Sequence, residues 1–287
     1  MNKKLKHVLK RTGLYALVLL IVVYVLAPYL WMVISSISTK VDLMEVPLKF
    51  IPRHPTLQNY KDMLLGTSNS TTDAASQFMY AMKNSAIVTV CVTAVSMAVG
   101  ILASYAFSRF RFRFKQQTFM AILFTQMIPP IAIIIPLYMI MLRAKLLDNI
   151  WALTVVYLSF VLPFVIWIMK GYIDGIPTEL EESAMIDGCG RLRSFFLIVL
   201  PVASTGLAAT TIFAFIISWN EFFYALNFTS LAAKTLPVLI TEFSSKYGAD
   251  YILTCTSGVI ASLPPVLLAL IFQKYIIAGL TSGAVKG

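Results

Sequence analysis

Six stretches of this chain, at roughly 13–37, 85–107, 118–142, 149–169, 202–228 and 254–277, are long and apolar enough to cross about 30 Å of hydrocarbon as helices. A backbone exposed to lipid must satisfy its own hydrogen bonds, which leaves helices or a closed barrel, and the chain lacks the ten-residue alternation of barrel strands. The sequence therefore predicts an all-α membrane protein, a bundle of six transmembrane helices. Composition agrees, since 287 residues that are 59% hydrophobic and 13% charged carry more apolar surface than one soluble core can hide.

The formal charge of +10 sits in short clusters between the apolar runs and not along a continuous basic face, which points to a membrane surface and lipid, with no nucleic-acid partner. Basic residues in short loops are retained on the cytoplasmic side. Lys3, Lys4, Lys6, Lys10 and Arg11 precede the first span, and Arg109, Arg111, Arg113 and Lys115 fill the loop after the second. Both clusters are expected inside, as are the N- and C-termini and the loop 170–201, with 38–84, 143–148 and 229–253 outside. The long first outer loop has mixed charge (Lys40, Asp42, Glu45, Arg53, Lys61, Asp62), and loops of that length cross largely regardless of charge. The first apolar run is as long as a bilayer is thick and lacks a small-x-small cleavage site, so it is expected to stay as an anchor.

Pro129, Pro130, Pro136, Pro163, Pro264 and Pro265 fall inside the spans, where each removes a backbone donor and favours a bend. Cys91, Cys189 and Cys255 are too scattered for a disulfide framework or a metal site and read as packing residues. No metal site and no catalytic group is expected: the chain has no phosphate loop and no H-E-x-x-H, and its two histidines, His7 and His54, lie outside the spans.

The stretch IPTELEESAMIDGCGRLRSFFLIVLP, residues 176–201, is too patterned for a plain connector. It predicts two short helices. Thr178 and Glu181 have capping-box spacing, Glu179, Glu181 and Glu182 place negative charge at the positive end of the helix dipole, and Leu180 and Ala184 share a face. Gly188 suits a helix end that needs positive φ, and Arg191 and Arg193 open a second segment that runs to Pro201. The expected product is a compact knob.

Glu182, Ala184, Gly188, Ile198, Leu200 and Pro201 fall at the positions of the E-A-A-x-x-x-G-x9-I-x-L-P signature, and the chain here resembles permeases of binding-protein-dependent ABC importers. Asp187 before the glycine is also usual, and Ser183 departs from the second alanine, small for small. QMIPPIAIIIPLYMI at 126–140, WNEFFYAL at 219–226 and the ending AGLTSGAVKG are similar to the carbohydrate branch of that family, which includes the second permease of maltose-type systems.

The resemblance implies a type I ABC importer permease fold, with an N-terminal anchor and outer loop at 1–77, a core at 78–277 and a tail at 278–287. It implies that Glu182, Ser183, Ala184, Asp187, Gly188, Ile198, Leu200 and Pro201 couple the permease to a cytoplasmic ABC ATPase dimer. That ATPase, and no cofactor of this chain, would carry ATP and Mg. The other implied partners are a second permease of non-identical sequence and an extracytoplasmic solute-binding protein, all at a bacterial inner membrane. Gly283, Ala284, Val285, Lys286 and Gly287 would contact the ATPase.

For the solute path, a carboxylate facing hydrocarbon at mid-bilayer costs about 2.5–3.5 kcal/mol, so Glu221 should face the bundle interior, a partner or water. Asn220 and Glu221 beside Trp219 offer hydrogen-bonding groups next to an aromatic platform, as a sugar requires; Gln126 and Tyr138 are further candidates, and packing is the alternative role for each. A secondary transporter driven by an ion gradient is the rival reading. It would show more ionisable residues within the spans and a pseudosymmetric repeat. A membrane-embedded enzyme would need a cluster of His, Asp, Glu or Ser.

Overall fold

The computed structural model describes residues 3–47, 49–67, 74–245 and 248–282. The helices in chain order are α1 (Lys3–Ser36), α2 (Lys40–Met44), α3 (Gln58–Leu65), α4 (Ala74–Arg109), α5 (Lys115–Thr125), α6 (Pro130–Arg143), α7 (Ile150–Asp174), α8 (Thr178–Ile186), α9 (Arg191–Ser194), α10 (Leu200–Val202), α11 (Ser204–Trp219), α12 (Phe223–Phe228), α13 (Leu236–Thr241) and α14 (Tyr251–Ser282). The only strands among the described residues are a two-residue antiparallel pair with Ser244 opposite Ala249.

Among the described residues five helical segments are long and apolar enough to cross a membrane, and the bent pair α5–α6 makes a sixth. The bend expected within the 118–142 span is present and sharp: α5 and α6 meet at 90°. Pro129 and Pro130 are the cause. Neither residue supplies an N–H to the ladder, Pro129 disfavours helical geometry at Ile128, and Pro130 restarts the helix at its first position, whereas the Pro264–Pro265 pair is accommodated inside α14. The 202–228 span is likewise interrupted, between α11 and α12.

The chain forms two compact units. One comprises residues 1–79 and 239–262. Here α1 leaves Leu14 through Leu26 exposed, an apolar surface that calls for lipid or another subunit. Its C-terminal end is anchored by polar contacts. The fully buried Ser36 hydroxyl meets the Tyr60 hydroxyl at 2.5 Å, and the Asn59 amide donates to the Ser36 and Ser38 carbonyls at 2.8 and 3.0 Å. A capping box between Thr39 and Asp42 opens α2, and Lys40 pairs with Asp250 at 2.9 Å.

The other unit comprises residues 80–238 and 263–287. Its centre is α7, which buries Leu153, Tyr157, Val161, Val165, Met169 and Ile173 against neighbouring helices. The closest approach is between α7 and α11, where Gly206 lies on the Tyr172 ring; a β-carbon at 206 would meet ring atoms at 2.3–2.6 Å. Asp148, just before α7, holds the loop after α12. It adopts φ +54°, a left-handed conformation that Asp tolerates better than most residues. Its carboxylate accepts the backbone N–H groups of Ser230, Leu231, Ala232 and Ala233 at 2.9–3.2 Å, and the Ser230 hydroxyl at 3.0 Å. Burial pushes the Asp148 carboxyl up, but these backbone donors outweigh it and hold the group well below the usual carboxylate range.

Two outcomes are expected. Gly206→Ala should destabilise the protein by about 1–3 kcal/mol through overpacking, whereas Gly171→Ala, which meets open space, should not lower the melting temperature in detergent. Because the Asp148 pKa is depressed on folding, its stabilisation is present above the unfolded value near pH 4 and is lost as pH falls further. Asp148→Asn should therefore melt below the wild type at neutral pH, with the gap narrowing below about pH 4 in thermal scans.

Candidate functional site

The segment joining α7 to α11 folds into the predicted knob. Helix α8 ends in a Schellman motif: the Gly188 N–H donates to the Met185 carbonyl at 3.1 Å and the Cys189 N–H to the Ala184 carbonyl at 2.9 Å. Gly188 takes φ +82°, so a β-carbon there would be strained even though nothing crowds it. Beyond α9 the chain widens into a π-helical turn over Phe195–Val199, closed by the Leu200 N–H on the Phe195 carbonyl. Pro201 follows directly. Its missing N–H could not have served the Leu197 carbonyl in a regular α-helix, and such wide turns occur where a ladder is interrupted.

The capping box expected of Thr178 and Glu181 does not form. Pro177 occupies the cap position, Thr178 is the first helical residue, and no side chain caps α8. Glu181 points instead into the protein, where its Oε1 accepts Arg109 Nε at 2.5 Å and its Oε2 accepts the Tyr105 hydroxyl at 2.7 Å. Arg109 Nη2 also donates to the Ile176 carbonyl at 2.7 Å. A cap is worth about 1 kcal/mol, whereas stranding one member of a buried ion pair costs about 3–5 kcal/mol, so the pair wins. Next to it, Ser108 donates to Asp174 at 2.6 Å and Lys170 pairs with the same carboxylate at 2.5 Å.

The signature residues divide by burial. Ala184 is buried, Ile198 and Leu200 are half-buried, and Glu182, Ser183, Asp187, Gly188 and Pro201 are exposed. Ser183 donates to the Glu179 carbonyl at 2.8 Å within α8, so the hydroxyl that departs from the signature does not disturb the helix. The knob also exposes Ile186 at 87% and Leu192 at 71%, together with Glu179, Glu182 and Asp187 on or just after α8 and Arg191 and Arg193 on either side of Leu192.

The proposed pathway residues separate into two places. Tyr138 stacks on Phe228, Phe228 on Tyr224 and Tyr224 on Phe160, forming an aromatic series across α6, α12 and α7. Gln126 joins it by donating to the Phe160 carbonyl at 2.6 Å. Glu221 joins it by accepting the Tyr224 and Ala225 N–H groups at 2.8 and 3.2 Å, capping α12 where Phe222 offers no acceptor. Trp219 instead stacks on Phe215 within α11 and is buried, and Asn220 is exposed. Sequence reasoning did not pick out Phe160, Tyr224 or Phe228; only the pairing of helices distant in sequence brings their rings together. Gly283, Ala284, Val285, Lys286 and Gly287 lie outside the described residues. Cys91, Cys189 and Cys255 are free, and the described residues hold no cluster of metal-ligating side chains.

The long apolar helices, with a structured knob between α7 and α11, have the form of a multi-pass membrane protein. Residues 96–282 match the family described as binding-protein-dependent transport system inner membrane component, and the chain belongs to that family. It is a permease subunit of an ATP-driven importer and not an enzyme, which sets aside the secondary-transporter reading. The chain is 33% identical over 284 residues to the trehalose/maltose transport system permease protein MalG of Thermococcus litoralis, covering 98% of this chain and 99% of that one. It is 32% identical over 261 residues to the diacetylchitobiose uptake system permease protein DasC of Streptomyces coelicolor, covering 91% of each. The fold is similar to a chain of a bacterial ABC transporter involved in the import of alginate, with TM-score 0.77 and 20% identity over 96% of this chain and 99% of that one.

The cap geometry separates two roles for Glu221. Glu221→Ala should lower stability by about 1 kcal/mol, and Glu221→Gln, which keeps an acceptor, should lie close to the wild type in thermal unfolding.

Proposed function

We propose that the chain forms half of the route by which a sugar, delivered by an extracytoplasmic solute-binding protein, enters the cell. The relatives named for trehalose, maltose and diacetylchitobiose support the carbohydrate class. A second permease supplies the other half of the route. A cytoplasmic ABC ATPase dimer, which carries ATP and Mg, drives the transport.

One observation carries the placement of that ATPase: the knob's exposed face, where Ile186 and Leu192 are exposed together with Glu179, Glu182 and Asp187. Exposed apolar side chains accompanied by the acids of α8 and by Arg191 and Arg193 on either side of Leu192 fit a partner groove with an apolar floor and a charged rim. The signature residues Glu182, Ser183, Asp187 and Gly188 build this face, Ala184 packs beneath it, and Ile198, Leu200 and Pro201 join it to the membrane helices. The clusters Lys3, Lys4, Lys6, Lys10, Arg11 and Arg109, Arg111, Arg113, Lys115 support a cytoplasmic position for both termini and the knob. In this reading the anchor and outer loop span 1–77, the core 78–277 and the tail 278–287, with Gly283–Gly287 contacting the ATPase. The solute path runs along the aromatic series at Tyr138, with Gln126 and Glu221 bonded to it, and passes Trp219 and Asn220 as a separate place at the end of α11.

Reconstitution tests the whole reading. Vesicles holding both permeases and the ATPase should accumulate sugar only with ATP and the loaded binding protein; uptake by this chain alone would overturn it. Gly188→Pro, which cannot adopt φ +82°, should leave the protein in the membrane yet remove the ATPase from pull-downs, and normal association would refute the docking site.

A further inference from the structure

We propose that Arg109 and Tyr105 are positioning residues through which a displacement of α8 is passed to the membrane-crossing helix α4. The inference rests on the reading that α8 engages the ATPase, and adds how the motion leaves the knob.

Helix α8 has nine residues and buries only two, Glu181 and Ala184. Ala184 offers a smooth apolar contact that can slide. Glu181 is held at both carboxylate oxygens by directional bonds, from Arg109 Nε and from the Tyr105 hydroxyl. The two donors are four residues apart on α4, so they lie on one face a single turn from each other. Two attachments on one carboxylate resist rotation of α8 as well as translation. Arg109 extends the grip to the chain entering α8 through the Ile176 carbonyl. Since α4 is one helix of 36 residues, its end cannot be pulled without moving the span.

The surroundings fit a linkage that moves. A cavity of about 110 Å³ adjoins it, lined among others by Tyr105, Arg109, Glu181, Glu182, Arg191 and Ser194. The buried Ser194 hydroxyl has no hydrogen-bond partner. The pocket is partly open to solvent, so the linkage is not walled in on that side.

The test uses the complete transporter in vesicles, with this chain, the second permease, the ATPase and the loaded binding protein. Sugar uptake and ATP hydrolysis are measured together. Arg109→Gln should lower the sugar moved per ATP by about five-fold or more, and Arg109→Lys, which keeps a charged donor, should recover part of it. Tyr105→Phe keeps the ring and removes only the hydroxyl, so it tests the linkage even if Arg109→Gln fails to fold; it should lower the ratio about two-fold. An unchanged ratio in Tyr105→Phe and Arg109→Gln, whether or not total activity falls, would overturn the proposal. A wild-type complex that neither retains the ATPase nor responds to the binding protein would instead overturn the proposed function.

Discussion

A backbone in hydrocarbon has no water to bond, so every interruption of a membrane helix strands peptide groups that something else must satisfy. This protein answers with side chains placed at its breaks. Glu221, at the break between α11 and α12, takes up two N–H groups, and Gln126, at the bend between α5 and α6, satisfies its own amide on the Phe160 carbonyl of α7. The loop after α12 is held by the Asp148 carboxylate, by the Asn84 amide on the Ala232 and Lys234 carbonyls, and by the Ser85 hydroxyl on the Leu236 N–H. The polar residues within or beside the spans are thus largely structural caps, and they permit the bends that a straight bundle would lack.

The same economy governs the knob. Its outer face holds acids and apolar groups unsuited to remaining bare, while its inner face commits one carboxylate to the end of α4. A permease driven from outside its own chain needs both: a surface that a separate motor can hold, and a stiff attachment from that surface to a helix crossing the membrane. Hydrogen-bonded charge provides stiffness where a small helix has too little area for packing to do so.

Much of this was legible beforehand. The spans, the knob at 176–201 and the positive φ at Gly188 followed from hydropathy and from the habits of helix ends, which are local properties. Pro129 and Pro130 announced a bend but not its 90° size, which depends on what α5 and α6 pack against. Glu181 was misread, because T-x-x-E spacing describes what a residue can do with its own helix and is silent about an arginine 72 residues away. Glu221 was recognised as a carboxylate needing a partner, yet its bonds to backbone donors three and four residues on became evident only once α12 was seen to start there.

Sequence by itself determined that the chain lives in lipid as helices, where those helices run, and which loop folds into a structured knob, because burial in hydrocarbon and helix capping are decided by runs of neighbouring residues. Tertiary structure alone decided the aromatic series from Tyr138 to Phe160 and the hold of Arg109 and Tyr105 on Glu181. Those contacts join residues far apart in the chain, and their geometry is fixed only when whole helices pack.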